Sequence, residues 1–283
     1  MLSELLGKQL YSAVTKYCPP DKLYEVRIKL SKNIRISGST GRMDIPDTVT
    51  TEQLLNEIVR IATANSLYAY NDYLIHGYLP YSGGIRIGVC GEAVVENNAV
   101  KTFKYITSLI IRVPHEIVGC ADKIMQTVGT ENPQNTIVMS PPACGKTTLL
   151  RDIARQLSIF HNVLVIDEKN ELGATYKGIN MLNVGRSDVI VGLPRGIGLQ
   201  SAIRNMSPDV IITDEIYSDH DLAEIELAIK SGVKVITSIH TSGQAITEKL
   251  GRQLSVFDVQ IELGNNPVGS IESIKSRSQM CLK

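Results

Sequence analysis

The apolar positions change period several times along the chain. Leu2, Leu5, Leu6, Leu10, Val14 and Tyr17 recur at helical spacing, which predicts an opening amphipathic helix stopped by Pro19 and Pro20. From Leu23 to Ile36 (LYEVRIKLSKNIRI) apolar and polar residues alternate, the period of half-buried strands. Thr50 and Gln53 predict a capping box ahead of a helix carrying Leu54, Leu55, Ile58, Val59 and Ile61. The stretch GYLPYSGGIRIGVCGEAVVENNAV follows, rich in glycine and β-branched residues, with turn pairs at Gly83-Gly84 and Asn97-Asn98. It predicts a meander of short antiparallel strands.

Between Pro114 and Gln134 the texture changes. Short apolar runs then alternate with longer segments: NTIVM and a helix, NVLVI and a mixed segment, DVIIT and a helix, VKVITSI and a helix. Strands buried on both faces of a parallel sheet lack polar alternation, so they read this way. The predicted fold class is α/β, a P-loop NTPase (RecA/AAA+-like) domain over residues 121–283. A smaller α+β domain over residues 1–120 precedes it. The last ten residues, IKSRSQMCLK, are expected to fray.

The candidate chemistry starts where NTIVM runs into Ser140-Pro141-Pro142-Ala143-Cys144-Gly145-Lys146-Thr147-Thr148 and a helix begins. A strand, a tight loop and a helix N-terminus together make a phosphate cradle, because backbone N–H groups and the helix dipole both face the anion. In that cradle Lys146 reaches the β- and γ-phosphates of ATP, the Thr147 hydroxyl ligates Mg²⁺, and Thr148 adds an α-phosphate contact. The pattern asks for glycine where Ser140 stands, so some strain or an altered loop entry is expected there. Cys144, at a helix N-terminus beside a lysine, is expected to alkylate faster than the other cysteines.

Further along, Asp209-Val-Ile-Ile-Thr213-Asp214-Glu215 is an apolar strand ending in two carboxylates. After a P-loop this is the Walker B form, in which Asp214 holds Mg²⁺ and Glu215 polarises the attacking water. Two other strand ends carry polar residues, Asp167-Glu168-Lys169 and His240-Thr241. Ligands bind beyond the carboxyl ends of parallel strands, so Asp167, Glu168, Asp214, Glu215, Ser238 and His240 are expected to converge on one crevice. There His240 senses the γ-phosphate, and Glu168 either assists the water or caps a loop.

Composition narrows the alternatives. Lys plus Arg and Asp plus Glu are equal at 29 each, and there are only three Phe and no Trp. Neither the basic excess nor the stacking platforms of a nucleic-acid binder are present, so a nucleic-acid partner is not expected. Cysteines 18, 90, 120, 144 and 281 are odd in number, widely spaced and without a CxxC, which points to reduced thiols in the cytosol. The N-terminus lacks the basic and apolar regions of a signal peptide, and no stretch is long enough for a membrane span.

Several segments carry a family resemblance: EVRIKL, ANSLYAYNDYLIHGYLPYSGGIRIGVCG, SLIIRVP, SPPACGKTTLLRDIARQLS, VIDEKNELGA and IRNMSPDVIITDEI. Together they resemble the stage III sporulation protein AA family, over nearly the whole chain. The Ser207–Ile216 region with Thr237-Ser-Ile-His-Thr241 also resembles the Walker B and His-box region of type II secretion and type IV pilus ATPases. The resemblance implies an ATPase that energises or assembles the channel between mother cell and forespore. It also implies a hexameric ring, and peripheral membrane attachment through membrane proteins of the same sporulation operon. The chain departs from these families at Lys169, where arginine is expected, at Tyr217 and Ser218, and at Ser140 and Ala143 in the loop. The charge-stabilising arginine is therefore unassigned; Arg86, Arg112, Arg186, Arg195 and Arg204 are candidates, each read first as an ordinary surface or ion-pair residue. Two other functions stand beside hydrolysis: an ATP-binding assembly module without turnover, and a nucleic-acid-stimulated ATPase.

Overall fold

A computed structural model of the protein describes residues 1–216, 218–241 and 253–277. Tyr217, Cys281 and the helix expected after VKVITSI lie outside the described residues. The chain forms two compact units, residues 1–115 with 174–181, and residues 116–173 with 182–283.

The first unit is a six-stranded sheet covered on one side by helices. Helix α1 (Leu2–Tyr17) precedes β1 (Leu23–Lys29), β2 (Asn33–Gly38) and β3 (Gly41–Val49), followed by α2 (Glu52–Ala62) and a turn of helix, α3 (Asn71–Leu74). Strands β4 (Tyr78–Tyr81), β5 (Ile85–Glu96) and β6 (Ala99–Arg112) complete it in the order β3-β2-β1-β6-β5-β4, every pair antiparallel. Alternation dictates its one-sided core: Val26 and Ile28 of β1 pack with Leu5, Leu55 and Ile58 of the helices, while Arg27 and Lys29 face away. The expected meander is largely one long hairpin, β5 against β6, reversed at Asn97 and Asn98, both at positive φ. Asparagine tolerates that left-handed region, and the pair supplies the turn that matches strand twist. The α2 cap is Thr51 rather than Thr50, accepting the Leu54 N–H at 3.2 Å. The short β9 (Thr175–Tyr176) and β10 (Ile179–Asn180) form a hairpin that also belongs to this unit. Its Tyr176 hydroxyl lies 3.2 Å from that of Tyr70, and its ring lies 6.1 Å from that of Tyr81.

The second unit holds α4 (Asp122–Val128), β7 (Thr136–Ser140), α5 (Lys146–Leu157), β8 (Val163–Asp167), β11 (Asp188–Val191), α6 (Arg195–Ser201), β12 (Val210–Glu215), α7 (Asp219–Lys230), β13 (Lys234–His240), β14 (Val259–Asn265) and β15 (Val268–Ser276). Its sheet order is β11-β8-β12-β13-β7-β14-β15, parallel except for the final antiparallel pair. The four apolar runs are the central strands β7, β8, β12 and β13, buried on both faces as their composition requires. Val138, Val165, Ile212 and Ile236 pack against Leu149, Leu150 and Ile153 of α5. The intervening Ile137, Ile166, Ile211 and Val235 pack against Leu199 of α6 and Leu222 and Ile225 of α7. Of the segment expected to fray, Ile274 to Ser276 continue β15 and pair with β14, while residues 278–283 lie outside the described residues.

Candidate functional site

A strand period of two carries the α5-facing rows onward to their carboxyl ends. Two residues beyond Val138, Val165, Ile212 and Ile236 stand Ser140, Asp167, Asp214 and Ser238, with His240 after Ser238. Polar residues thus stand at the carboxyl ends of all four central strands, on the rows that face α5.

The connection from β7 to α5 turns through two left-handed residues, Ala143 (φ 61) and Gly145 (φ 84), the latter being the N-cap of α5. Glycine takes this conformation without penalty and alanine does not, so the loop's strain sits at Ala143. Ser140, where strain was expected, ends β7 at negative φ and donates its hydroxyl to the Pro141 carbonyl at 2.7 Å. Pro141, Pro142 and Ala143 are exposed; Thr147 and Thr148 are half-buried in the first turn of α5. Cys144 is buried with its thiol toward the Pro142 carbonyl at 3.6 Å, whereas Cys90 is exposed. The loop thiol is therefore shielded, contrary to its expected reactivity.

Lys146 is buried, and the three N–H groups of its ammonium are shared among the Ser140 carbonyl (3.3 Å), the Ser140 hydroxyl (3.3 Å), the Pro141 carbonyl (3.4 Å) and His240 Nδ1 (2.6 Å). His240 Nε2 lies 2.8 Å from Glu215 Oε1. Because Nδ1 must offer a lone pair to an ammonium, the ring proton is on Nε2 and is donated to Glu215. Burial and the neighbouring Lys146 charge hold the His240 pKa below its ordinary value, in keeping with that neutral tautomer. Burial likewise lowers Lys146. The pairing of β13 with β7 sets this up by placing His240 directly opposite Ser140.

The carboxylates divide. Asp214 is buried, and burial together with the Glu171 and Asp167 charges pushes its pKa up to about 6. Asp167 is committed to backbone: its carboxylate accepts the N–H groups of Glu171, Leu172 and Gly173 at 2.7, 3.0 and 2.9 Å, clamping the loop after β8. Burial still raises its pKa against those bonds. Arg151 of α5 braces the same loop through the Leu172 carbonyl (2.7 Å) and the Glu171 carbonyl (2.9 Å). Glu168 is 40% exposed and lies 3.9 Å from Arg195. Ser238 is fully buried, yet its hydroxyl has no hydrogen-bond partner.

The Asp214 carboxyl, raised by burial and by neighbouring anions, the half-buried Thr147 hydroxyl and the orphaned buried Ser238 hydroxyl are all hard oxygen donors. That donor set fits Mg²⁺. A divalent cation beside Asp214 would offset both the burial and the Glu171 and Asp167 charges that raise its pKa.

The sequence profile of the family described as sporulation stage III, protein AA, matches residues 1–265. The chain is 31% identical over 260 residues to stage III sporulation protein AA of Bacillus subtilis, covering 89% of this chain and 84% of that one. It is 28% identical over 141 residues to the uncharacterized protein ycf45 of Cyanidium caldarium, covering 48% of this chain and 42% of that one. Among solved structures it resembles the ATPase DotB of Legionella pneumophila, with TM-score 0.56, 18% identity, and coverage of 90% of this chain and 75% of that one. It also resembles the pilus retraction motor PilT with bound ADP, with TM-score 0.57, 17% identity, and coverage of 88% and 76%. The two structural likenesses establish the P-loop-type α/β fold.

Proposed function

The chain belongs to the stage III sporulation protein AA family, and from that premise we propose that it binds ATP with Mg²⁺ on the loop 140–148 and hydrolyses it. The observation that carries this reading is the hydrogen-bonded series Lys146–His240–Glu215, drawn from α5, β13 and β12 beside the buried Asp214 carboxyl. Phosphoryl transfer needs little covalent chemistry from a protein; it needs cations and donors fixed around the phosphates and an oriented water. Lys146 exchanges its loop carbonyls and His240 for the β- and γ-phosphate oxygens. The backbone from Ser140 to Thr148 surrounds the phosphates at the start of α5. Glu215 accepts a proton from the water that attacks the γ-phosphorus as the bond to the ADP oxygen breaks. Freed from Lys146, His240 senses the γ-phosphate while remaining bonded to Glu215. Thr147 and Asp214 would hold Mg²⁺, which when bound neutralises charge on the β- and γ-phosphates. Glu168 supports the water indirectly or stabilises its loop.

Within the family frame the protein serves as a motor or assembly ATPase of the channel between mother cell and forespore, held at the membrane by proteins of its operon. Among the described residues no helix is long and apolar enough to cross a membrane. A hexameric ring would bring an arginine from a neighbouring copy to the γ-phosphate. Arg86 and Arg112, directly opposite one another on β5 and β6, are candidates for that role, as are the exposed Arg186 and Arg204. A second reading, ATP as a structural ligand without turnover, is favoured by one observation: Arg195, which reaches the end of β12, is committed to partners within its own chain. Two measurements test the proposal. Lys146→Ala should abolish binding of a fluorescent ATP analogue in a folded protein, and the wild type should hydrolyse Mg·ATP in a single-turnover assay. Wild-type affinity in Lys146→Ala would overturn the site; binding without hydrolysis would leave the structural-ligand reading.

A further inference from the structure

Both carboxylates at the end of β12 stand on backbone that the sheet does not fully hold. The pairing of β12 with β13 slips between Ile212 and Glu215, so the regular ladder fails where position matters most. Side chains take over. The Thr237 hydroxyl donates to the Asp214 carbonyl at 2.6 Å. The Glu215 carbonyl accepts from Arg195 Nη2.

Arg195 is only 3% exposed, an uncommon setting for an arginine, and its guanidinium is fully engaged. Besides the Glu215 carbonyl, Nε donates to the Thr213 hydroxyl at 3.0 Å, Nη1 pairs with Asp221 at 3.3 Å, and Nη2 lies 3.9 Å from Glu168. Asp221 in turn closes a capping box with Ser218 at the start of α7. One planar cation therefore ties the end of β12, the loop after β8 and the start of α7 together. A lysine, with a single ammonium, cannot span those directions at once. Arg195 approaches Glu215 from its main chain while His240 approaches from its carboxylate, so the two fix the residue from opposite ends.

We propose that Arg195 is a positioning residue that sets the Glu215 carboxylate against His240 by holding the Glu215 carbonyl, and that it is not the charge-stabilising arginine of a neighbouring site. The consequence for hydrolysis rests on the ATPase reading given above; the consequence for the Glu215–His240 contact does not.

The test uses the full chain with Arg195→Ala and Arg195→Lys, labelled with ¹⁵N-histidine. There are five histidines, and His161, bonded to the Thr130 carbonyl at 2.7 Å, is an internal control for the fold. In Arg195→Ala the His240 ring signals should move in the direction produced by Glu215→Gln, with His161 unmoved. Arg195→Lys should give a smaller displacement of the same kind. ATP affinity should stay within about threefold, while single-turnover hydrolysis falls about a hundredfold in Arg195→Ala, the scale of a roughly 1 Å misplacement, and partly recovers in Arg195→Lys. His240 signals unchanged in both variants would overturn the proposal. Recovery of activity on mixing Arg195→Ala with Glu215→Gln subunits would also overturn it, because Arg195 would then act across subunits. Wild-type protein that neither binds nor hydrolyses ATP would defeat the ATPase reading and leave the histidine spectra to decide the role of Arg195.

Discussion

Replacing Asp214 with asparagine should make the nucleotide-free protein more stable. The carboxyl titrates at 3.8 in an unfolded chain and at about 6 here, because burial and the Glu171 and Asp167 charges disfavour its ionised form. A raised carboxyl means the folded state binds more protons than the unfolded one between those two values, so stability falls as pH rises through that window. The shift of about 2 pH units corresponds to about 3 kcal/mol, at about 1.4 kcal/mol per unit, absent below pH 3.8 and fully present above the folded value. Asparagine keeps the shape and cannot ionise. Asp214→Asn should therefore gain up to about 3 kcal/mol over wild type at pH 7.5, or about 5–10 °C in the melting transition of the α/β unit. The gain should shrink to about a third near pH 4.5 and vanish only below pH 3.8. Thermal melts of both proteins across that range measure it. Mg·ATP should then reverse the ranking, since a ligand stabilises only a protein that binds it, and the variant lacks the carboxylate that would hold Mg²⁺. A destabilised Asp214→Asn protein, or a gain independent of pH, would refute the electrostatic reasoning.

Glu215→Gln should bind ATP near wild-type affinity while single-turnover hydrolysis drops about a hundredfold or more, the usual range for loss of a positioned base; unchanged turnover would move the role to Glu168 or another group. Among Cys18, Cys90, Cys120 and Cys144, iodoacetamide should label Cys90 first, because it is exposed while Cys144 is buried and burial pushes the Cys120 thiol up to about 11; peptide mapping that finds Cys144 labelled first would contradict the loop geometry. If a neighbouring copy supplies the missing cation, specific activity should rise with protein concentration, and flat activity over a hundredfold range would count against a shared site.

The parts legible in the sequence are those fixed by short-range physics. Strands buried on both faces must be apolar throughout, so β7, β8, β12 and β13 announce themselves. The loop before α5 and the Asp214-Glu215 pair follow from their positions at the ends of those strands. What stayed hidden depends on partners distant in sequence. Asp167 looks like a crevice residue until three N–H groups four to six residues downstream claim its carboxylate. Arg195 resembles any surface arginine until α6 carries it beneath β12. The shift of the α2 cap from Thr50 to Thr51 turns on one residue of backbone geometry, below what spacing resolves. Strand β15 has weak apolar alternation of its own and exists because β14 offers it an edge.

The hairpin at residues 174–181 changes how the molecule can be cut. Because it belongs to the first unit, the chain passes between the units three times, after residue 115, after residue 173 and after residue 181. Residues 1–115 expressed alone would lack Tyr176, the partner of the Tyr70 hydroxyl and of the Tyr81 ring, and two tyrosines now buried would meet water. A fragment starting at residue 116 would carry the orphaned hairpin instead. A single protease cut at residue 115 therefore leaves the halves still joined by a strand-turn-strand that neither fragment can relinquish without losing packing. Dissecting this protein into functional pieces calls for a graft of residues 174–181 onto the first unit, with a short bridge closing residue 173 to residue 182 in the second.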